Sequence, residues 1–456
     1  MRDHLVQSHG LGSGTGSLVA ASHEGVLGKV DDPGASARAD RIANRFSATI
    51  FLVALLQVTV PPLLNGFLGA GGFQLVANAV NTTQAAGASD ALRLGLVALS
   101  LSALGWAALS RRRASSPLAL AVITAPVVYV FLRSLYVSSD ATGSFVAMSI
   151  ALLAIWALRP SLHVAATVGH SIGMVAISSI AAGVFMPTVG IFVDQFGASI
   201  ALDKWSPFPT LLRGVYSHPN TLGQVLTIGV WAVLAIPNVR VRILYFTASL
   251  IALLWTGSRT ALIVAVLVAG LALGLKLAQS RALRQLLSIT VTVLSALTVA
   301  LVPLFTTDLT AFSYRGQIWA GSLRAWTTSP VFGLGGDWYF YIAGYLNDLL
   351  AAAYHGHNGF IHYLTTGGIV LVVLAAIAVL SVSVRASGLA RNGIFWPILV
   401  IVATVALSIQ EVPLNFSSLT ATGPVTWLLL GVIMFSRESF SRAWTAGAVN
   451  GDQSVV

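Results

Sequence analysis

The stretch Gly359–Val384, GFIHYLTTGGIVLVVLAAIAVLSVSV, decides the fold. It contains no Asp, Glu, Lys or Arg, and as a helix rising 1.5 Å per residue it extends about 39 Å, more than the ~30 Å hydrocarbon core of a bilayer. The run therefore predicts a membrane span. Eleven further runs of similar character lie near 46–66, 92–110, 117–136, 143–158, 163–186, 221–237, 241–257, 260–278, 286–305, 394–410 and 422–436. An all-α integral membrane protein with about 12 transmembrane helices is the expectation.

Composition agrees. Of 456 residues, 56% are hydrophobic and 9% charged, with a mean hydropathy of +0.83, a profile that no water-soluble domain of this size needs. Cysteine is absent, which excludes disulfides, a thiol nucleophile and any thiolate metal site. The net charge of +10 could indicate nucleic acid. With the N-terminus inside, however, thirteen basic residues of the inner loops (Arg111, Arg112, Arg113, Arg159 and Arg437 among them) and five of the N-terminal tail put 18 of 25 Lys and Arg on the cytoplasmic side. That is the positive-inside pattern, so both termini are read as cytoplasmic and nucleic acid is an unnecessary partner.

The expected organisation follows. Residues 1–45, rich in Gly, Ser, Asp and Ala, read as a disordered cytoplasmic tail; 46–186 hold spans 1–5, 187–220 an outer loop, 221–305 spans 6–9, 306–358 a large outer catalytic loop, 359–436 spans 10–12, and 437–456 a cytoplasmic tail. Loops as long as the two outer ones are commonly functional.

Seven basic residues fall on the outer face: Arg93, Arg133, Lys204, Arg213, Arg259, Arg315 and Arg324. Arg93 and Arg133 read as side chains snorkelling to the headgroups. Arg259 lies in TGSRTAL, a turn so short that two spans meet there, and it begins the next helix, where free N–H groups add to its attraction for an anion. Arg315 opens YRGQIWAGSLRAWTTSP, whose Ile318, Trp319, Ser322, Ala325 and Trp326 recur at helical spacing, with Ser313 as the expected cap. This predicts an amphipathic surface helix on which Arg315 and Arg324, nine residues apart, face opposite ways.

Next come three histidines in HGHNGFIHY (355–363). His355, His357 and His362 lack the i, i+4 spacing that sets two metal ligands on one helical face, and no acidic residue is fixed near them by sequence, so a metal site is not expected. A neutral imidazole at a water-accessible membrane surface suits a general base.

In order along the chain, SHPNTLGQ (217–224), TGSRTAL (256–262), YRGQIW (314–319) with SPVFGLGG (329–336), and HNGFIHYLTTGG (357–368) resemble the O-antigen ligase and polymerase superfamily of bacterial polysaccharide assembly, a likeness covering residues 180 to 435. The resemblance implies a glycosyltransferase C-type fold in the bacterial cytoplasmic (inner) membrane, with the active site facing outside. It implies inverting, metal-independent transfer with no cofactor, from a polyprenyl-diphosphate-linked glycan donor to a glycan or glycolipid acceptor, in contact with membrane lipid and leaving room for polysaccharide export or chain-length partners. It assigns Arg259 and Arg315 to the donor diphosphate and His357 to activation of the acceptor hydroxyl. Asn358 is expected to orient His357 or the sugar, His218 and Asn220 to line the cleft, and Glu411 to bind sugar hydroxyls. His355 and His362 are support at most. The rival from another class, a twelve-helix secondary transporter of a small or anionic solute, predicts ionisable groups near the midplane; His170 is the clear candidate for one.

Overall fold

The computed structural model describes residues 33–68, 82–137, 143–193, 206–339, 355–416 and 420–438. These form helices α1 (Pro33–Phe67), α2 (Thr83–Leu109), α3 (Pro117–Val137), α4 (Gly143–Leu158), α5 (Val164–Phe185), the single turn α6 (Pro187–Gly190), α7 (Pro219–Gly229, continued by 3-10 turns to Ala235) and α8 (Val239–Thr256). There follow α9 (Arg259–Leu277), α10 (Arg281–Phe305), α11 (Ala311–Trp326), α12 (Gly359–Arg391), α13 (Trp396–Leu407) and α14 (Leu429–Phe435, led in by a π turn). Extended pairing among the described residues is a lone antiparallel bridge between Ile191 and Leu212.

Eight of these helices, α1, α2, α3, α5, α8, α9, α10 and α12, are long and apolar enough to cross a membrane. The runs expected to span at 143–158, 221–237, 394–410 and 422–436 are apolar helices of 10–17 residues. Burial distinguishes most of them. Every residue of α13 is buried, and so are nearly all of α14 and most of α7, whereas α9 turns Ile263, Val266, Leu273 and Leu277 outward at 58–73% exposure. Apolar side chains facing out suit lipid. A helix enclosed by protein can be shorter, because neighbours rather than lipid meet its ends.

The first helix begins at Pro33, so the last thirteen residues of the segment read as a tail are helical. The apolar run begins only at Phe46. The polar turns 33–45 are held instead by ion pairing, since Asp40 joins Arg112 of the α2–α3 turn at 3.1 Å and Arg437 beyond α14. The two ends of the described chain thus meet at one face together with Arg113 and Arg159. At that end Arg385 of α12 donates to the carbonyls of Ser436 (2.7 Å) and Glu438 (3.1 Å). The other end of α12 carries His357 and Asn358.

Candidate active site

Helix α12 starts at Gly359 because Asn358 caps it. The Asn358 Oδ1 accepts from the N–H of Ile361 at 3.0 Å, and its amide donates to the carbonyls of Val299 (2.9 Å) and Ile409 (3.1 Å). Asn358 is fully buried, so its amide ties α10, α12 and the segment after α13 together. This gives Asn358, expected to orient His357 or the sugar, a scaffold role. Its position at a helix start made it look available, while the partners from α10 and residue 409 are distant in sequence.

One residue earlier, His357 sits at φ 44, in the left-handed region that non-glycine residues enter rarely. Its N–H donates to His355 Nδ1 at 3.0 Å, and its carbonyl accepts from Trp319 Nε1 of α11. The two imidazoles lie with centroids 4.1 Å apart. Gly356 between them is obligatory for packing: a Cβ there would meet the Tyr339 hydroxyl at 2.8 Å and the backbone of His362 at 2.9 Å. Tyr339 bonds Ser322 of α11 at 2.9 Å and stacks on His362, and burial pushes its phenol up to about 12.

Arg315 arrives through a strained turn. Phe312, Ser313 and Tyr314 all have φ between 55 and 65, each costing about 1–2 kcal/mol for an L residue, so Ser313 does not take the extended conformation of a cap and the regular helix begins at Arg315. Gly316 lets the carbonyl of Asp308 approach to where a Cβ would be 2.2 Å away. The turn aims Arg315 inward. Its Nη2 donates to Glu411 Oε1 at 2.9 Å, and its Nε is buried with no hydrogen-bond partner among the described residues. Arg324 is exposed on the same helix, as the nine-residue spacing predicts.

Glu411 is the centre of the cluster. Besides Arg315, its Oε2 stands 3.8 Å from His355 Nε2 and 4.0 Å from His357 Nδ1. Burial, and then the neighbouring His357, His362 and Arg315, hold His355 well below the usual imidazole range. It belongs to the centre of the site rather than to its support. Arg259, the first residue of α9 as expected, joins through its neighbour: the Thr260 hydroxyl donates to the Gln410 side chain, next to Glu411. Helix α7 packs against this turn, Gly223 being closed in by Ser258 and Ala261 and Thr227 donating to the carbonyl of Ala261. His218 and Asn220 are thereby brought to the start of α9. His218 Nδ1 caps α7 by accepting from Asn220 N at 3.1 Å, and Pro219 occupies the first helical position, where its missing N–H costs nothing.

The remaining motif is a clasp. The N–H groups of Leu334 and Gly335 donate to the carbonyls of Thr365 and Thr366 at 2.8 and 2.9 Å, backbone lying on backbone where Gly333 and Gly368 adopt φ 70 and 64. Arg133, read as snorkelling, donates to the Gly333 carbonyl at 2.7 Å, and Arg213 donates to those of Val189 and Thr188. Lys204 lies outside the described residues.

Two chemistries fit the cluster. His355, His357 and Glu411 offer three ligand atoms within 4.8 Å of one another, the fold supplying from residue 411 the carboxylate that the local spacing lacks. The Arg315 guanidinium at 2.9 Å from that carboxylate works against a second cation and in favour of an anion. Below the cluster is an apolar cavity of about 160 Å³, lined by Val299, Gly359, Phe360, Tyr363, Ser408 and Leu414 among others.

The fold and the cluster define a multi-pass helical membrane protein with arginines, histidines and a carboxylate gathered at one end of the helices. Residues 244–376 match the family model described as O-antigen ligase, which shows the resemblance read from the motifs over that segment; Arg259, Arg315 and His357 lie inside it, while His218, Asn220 and Glu411 lie outside. No curated protein matches the chain.

Proposed function

We propose that the protein transfers a glycan from a polyprenyl-diphosphate carrier to an acceptor hydroxyl at the outer face of a bacterial cytoplasmic membrane, as a polysaccharide polymerase or ligase. The observation that carries this is the convergence of Arg315, His355, His357 and Glu411 from three separated segments, with an apolar cavity lined by the nearby Gly359, Ser408 and Leu414.

In this reading the cavity receives the lipid of a substrate, and Arg315, through its unpartnered Nε, and Arg259, at a helix N-terminus, hold the diphosphate. Guanidinium stays charged at any relevant pH and matches phosphate oxygens. The negative Glu411 carboxylate favours the proton on His357 Nδ1, which leaves the Nε2 lone pair for the acceptor. The acceptor oxygen attacks the anomeric carbon as the bond to the diphosphate breaks. The hydroxyl proton passes to His357, the polyprenyl diphosphate leaves with the bonding electrons, and the anomeric centre inverts. The two arginines stabilise the charge on the leaving group, a task otherwise given to a divalent cation. Glu411 thus serves the base rather than the sugar hydroxyls. Transfer by the purified protein from such a donor, lost in His357→Ala, tests the assignment.

A further inference from the structure

The end of the molecule opposite His357 holds a second cavity, this one polar and of about 410 Å³, lined by Asp40, Arg112, Arg113, Arg159, Arg437 and Glu438 among others. It lies roughly 40 Å away along α12, and the proposed transfer makes no use of it. Four segments build it: the first turns of α1, the α2–α3 turn, the α4–α5 turn and the chain after α14.

Its charges do not cancel. Asp40 is committed with both oxygens, Oδ1 to Arg112 and Oδ2 to Arg437. Glu438 accepts the N–H of Leu162 with Oε1 at 3.0 Å and its charge acts on Arg385, which donates to its backbone carbonyl, while its Oε2 is buried with no hydrogen-bond partner among the described residues. Arg113 and Arg159 remain. Among the described residues neither forms an ion pair, and Arg159 Nε is buried with no hydrogen-bond partner. Burying a donor in this way is costly unless something meets it.

Arg159 is also held at a backbone cost. It follows the last residue of α4 at φ 45, the left-handed position that closes a helix and that glycine occupies without strain. An arginine here is in the wrong conformation for its backbone but aims a guanidinium into the cavity. Strain of this kind is characteristic of ligand sites.

We infer that this cavity binds a phosphate-bearing anion, with the phosphate between Arg113 and Arg159. Four arginines against two carboxylates leave the lining two charges positive, with Arg113 and Arg159 outside any ion pair among the described residues, and the planar guanidinium fork suits phosphate oxygens. The phosphate could be carried by an anionic phospholipid headgroup or by a soluble compound. Both present the same chemistry to the two arginines.

The chain has no cysteine, so a single Ser36→Cys at the exposed rim of the cavity can carry an environment-sensitive dye that reports on this cavity and not on the distant cluster. In one arm the full-length protein in detergent is titrated with inorganic phosphate and pyrophosphate at constant ionic strength. In the other it is placed in nanodiscs of phosphatidylcholine with increasing phosphatidylglycerol. A saturable dye response is expected: in the first arm it identifies a soluble phosphate compound, in the second alone a headgroup. Arg159→Gly should raise the half-saturating concentration at least about tenfold while leaving the unfolding midpoint without anion equal or higher, since it relieves the φ 45 conformation. Arg113→Gln, on an exposed turn, should weaken the response as well. No saturable response in either arm, or an unchanged half-saturation in Arg159→Gly, would overturn the proposal.

Discussion

Replacing Glu411 by Gln keeps the shape of the side chain and removes its charge. Oε2 stands 4.0 Å from His357 Nδ1, with the two side chains only 8% and 12% exposed. At an effective dielectric of about 20 that separation is worth about 4 kcal/mol to a full imidazolium charge. A proton half transferred in the transition state realises about half of this, so the expected loss in kcat is about 30-fold, and the full charge sets a ceiling near 10³-fold. Donor binding should move the other way. Arg315 Nη2 is released from its 2.9 Å pair with Glu411 and gains capacity for phosphate, so the donor KM should stay level or fall. Glu411→Asp, which retains the charge on a shorter arm, should be intermediate. The assay is initial-rate transfer by purified protein with donor varied and acceptor saturating. A kcat within about threefold of the unmodified protein, or a KM that rises in step with the loss of kcat, would refute the role given to Glu411.

Arg259→Ala and Arg315→Ala should each weaken donor binding and turnover about 10- to 100-fold, the value of a charge-assisted contact, with Lys rescuing only in part because it lacks the fork; Arg324→Ala, exposed on the far side of α11, should be mild, as isotope-labelled donor binding and rates will show. Because His355 is held below its unfolded value near 6.5, the unfolded chain takes up a proton that the folded chain refuses, so stability should fall as pH drops below about 6.5, by up to ~1.4 kcal/mol per pH unit; His355→Asn should flatten the dependence of the unfolding midpoint, and an unaltered slope would contradict the burial argument. In intact cells an impermeant maleimide should label Thr328→Cys, after α11, and spare Ser110→Cys, beside Arg111–Arg113, until the membrane is opened; the reverse would invert the topology.

Much of this was legible from sequence, for reasons that can be named. Apolar runs located the helices, and the helix start at Arg259 followed from the short turn before it. The opposed directions of Arg315 and Arg324 followed from helical periodicity. What escaped were contacts between segments distant in sequence. Glu411 was visible as an ionisable residue at a membrane edge, but nothing in its neighbourhood told that it would meet Arg315, 96 residues earlier, and two histidines. The scaffold role of Asn358 escaped because its partners come from α10 and the chain after α13. The first turns of α1 were lost to a tail because ion pairs, rather than apolar periodicity, hold them. Arg133 was assigned to lipid because the loop carbonyl it grips, Gly333, lies 200 residues away.

The central claim is that His357 takes the acceptor's proton while arginines, not a metal, hold the diphosphate. It is tested most directly by supplying the purified protein, in excess chelator, with a polyprenyl-diphosphate-linked glycan and a hydroxyl acceptor, and comparing it with His357→Ala. Transfer should proceed in chelator, and the variant should lose about 10²- to 10⁴-fold in turnover with donor binding intact. Activity abolished by chelator and restored by a divalent cation would make His355, His357 and Glu411 a metal site, and full turnover by His357→Ala would remove the base.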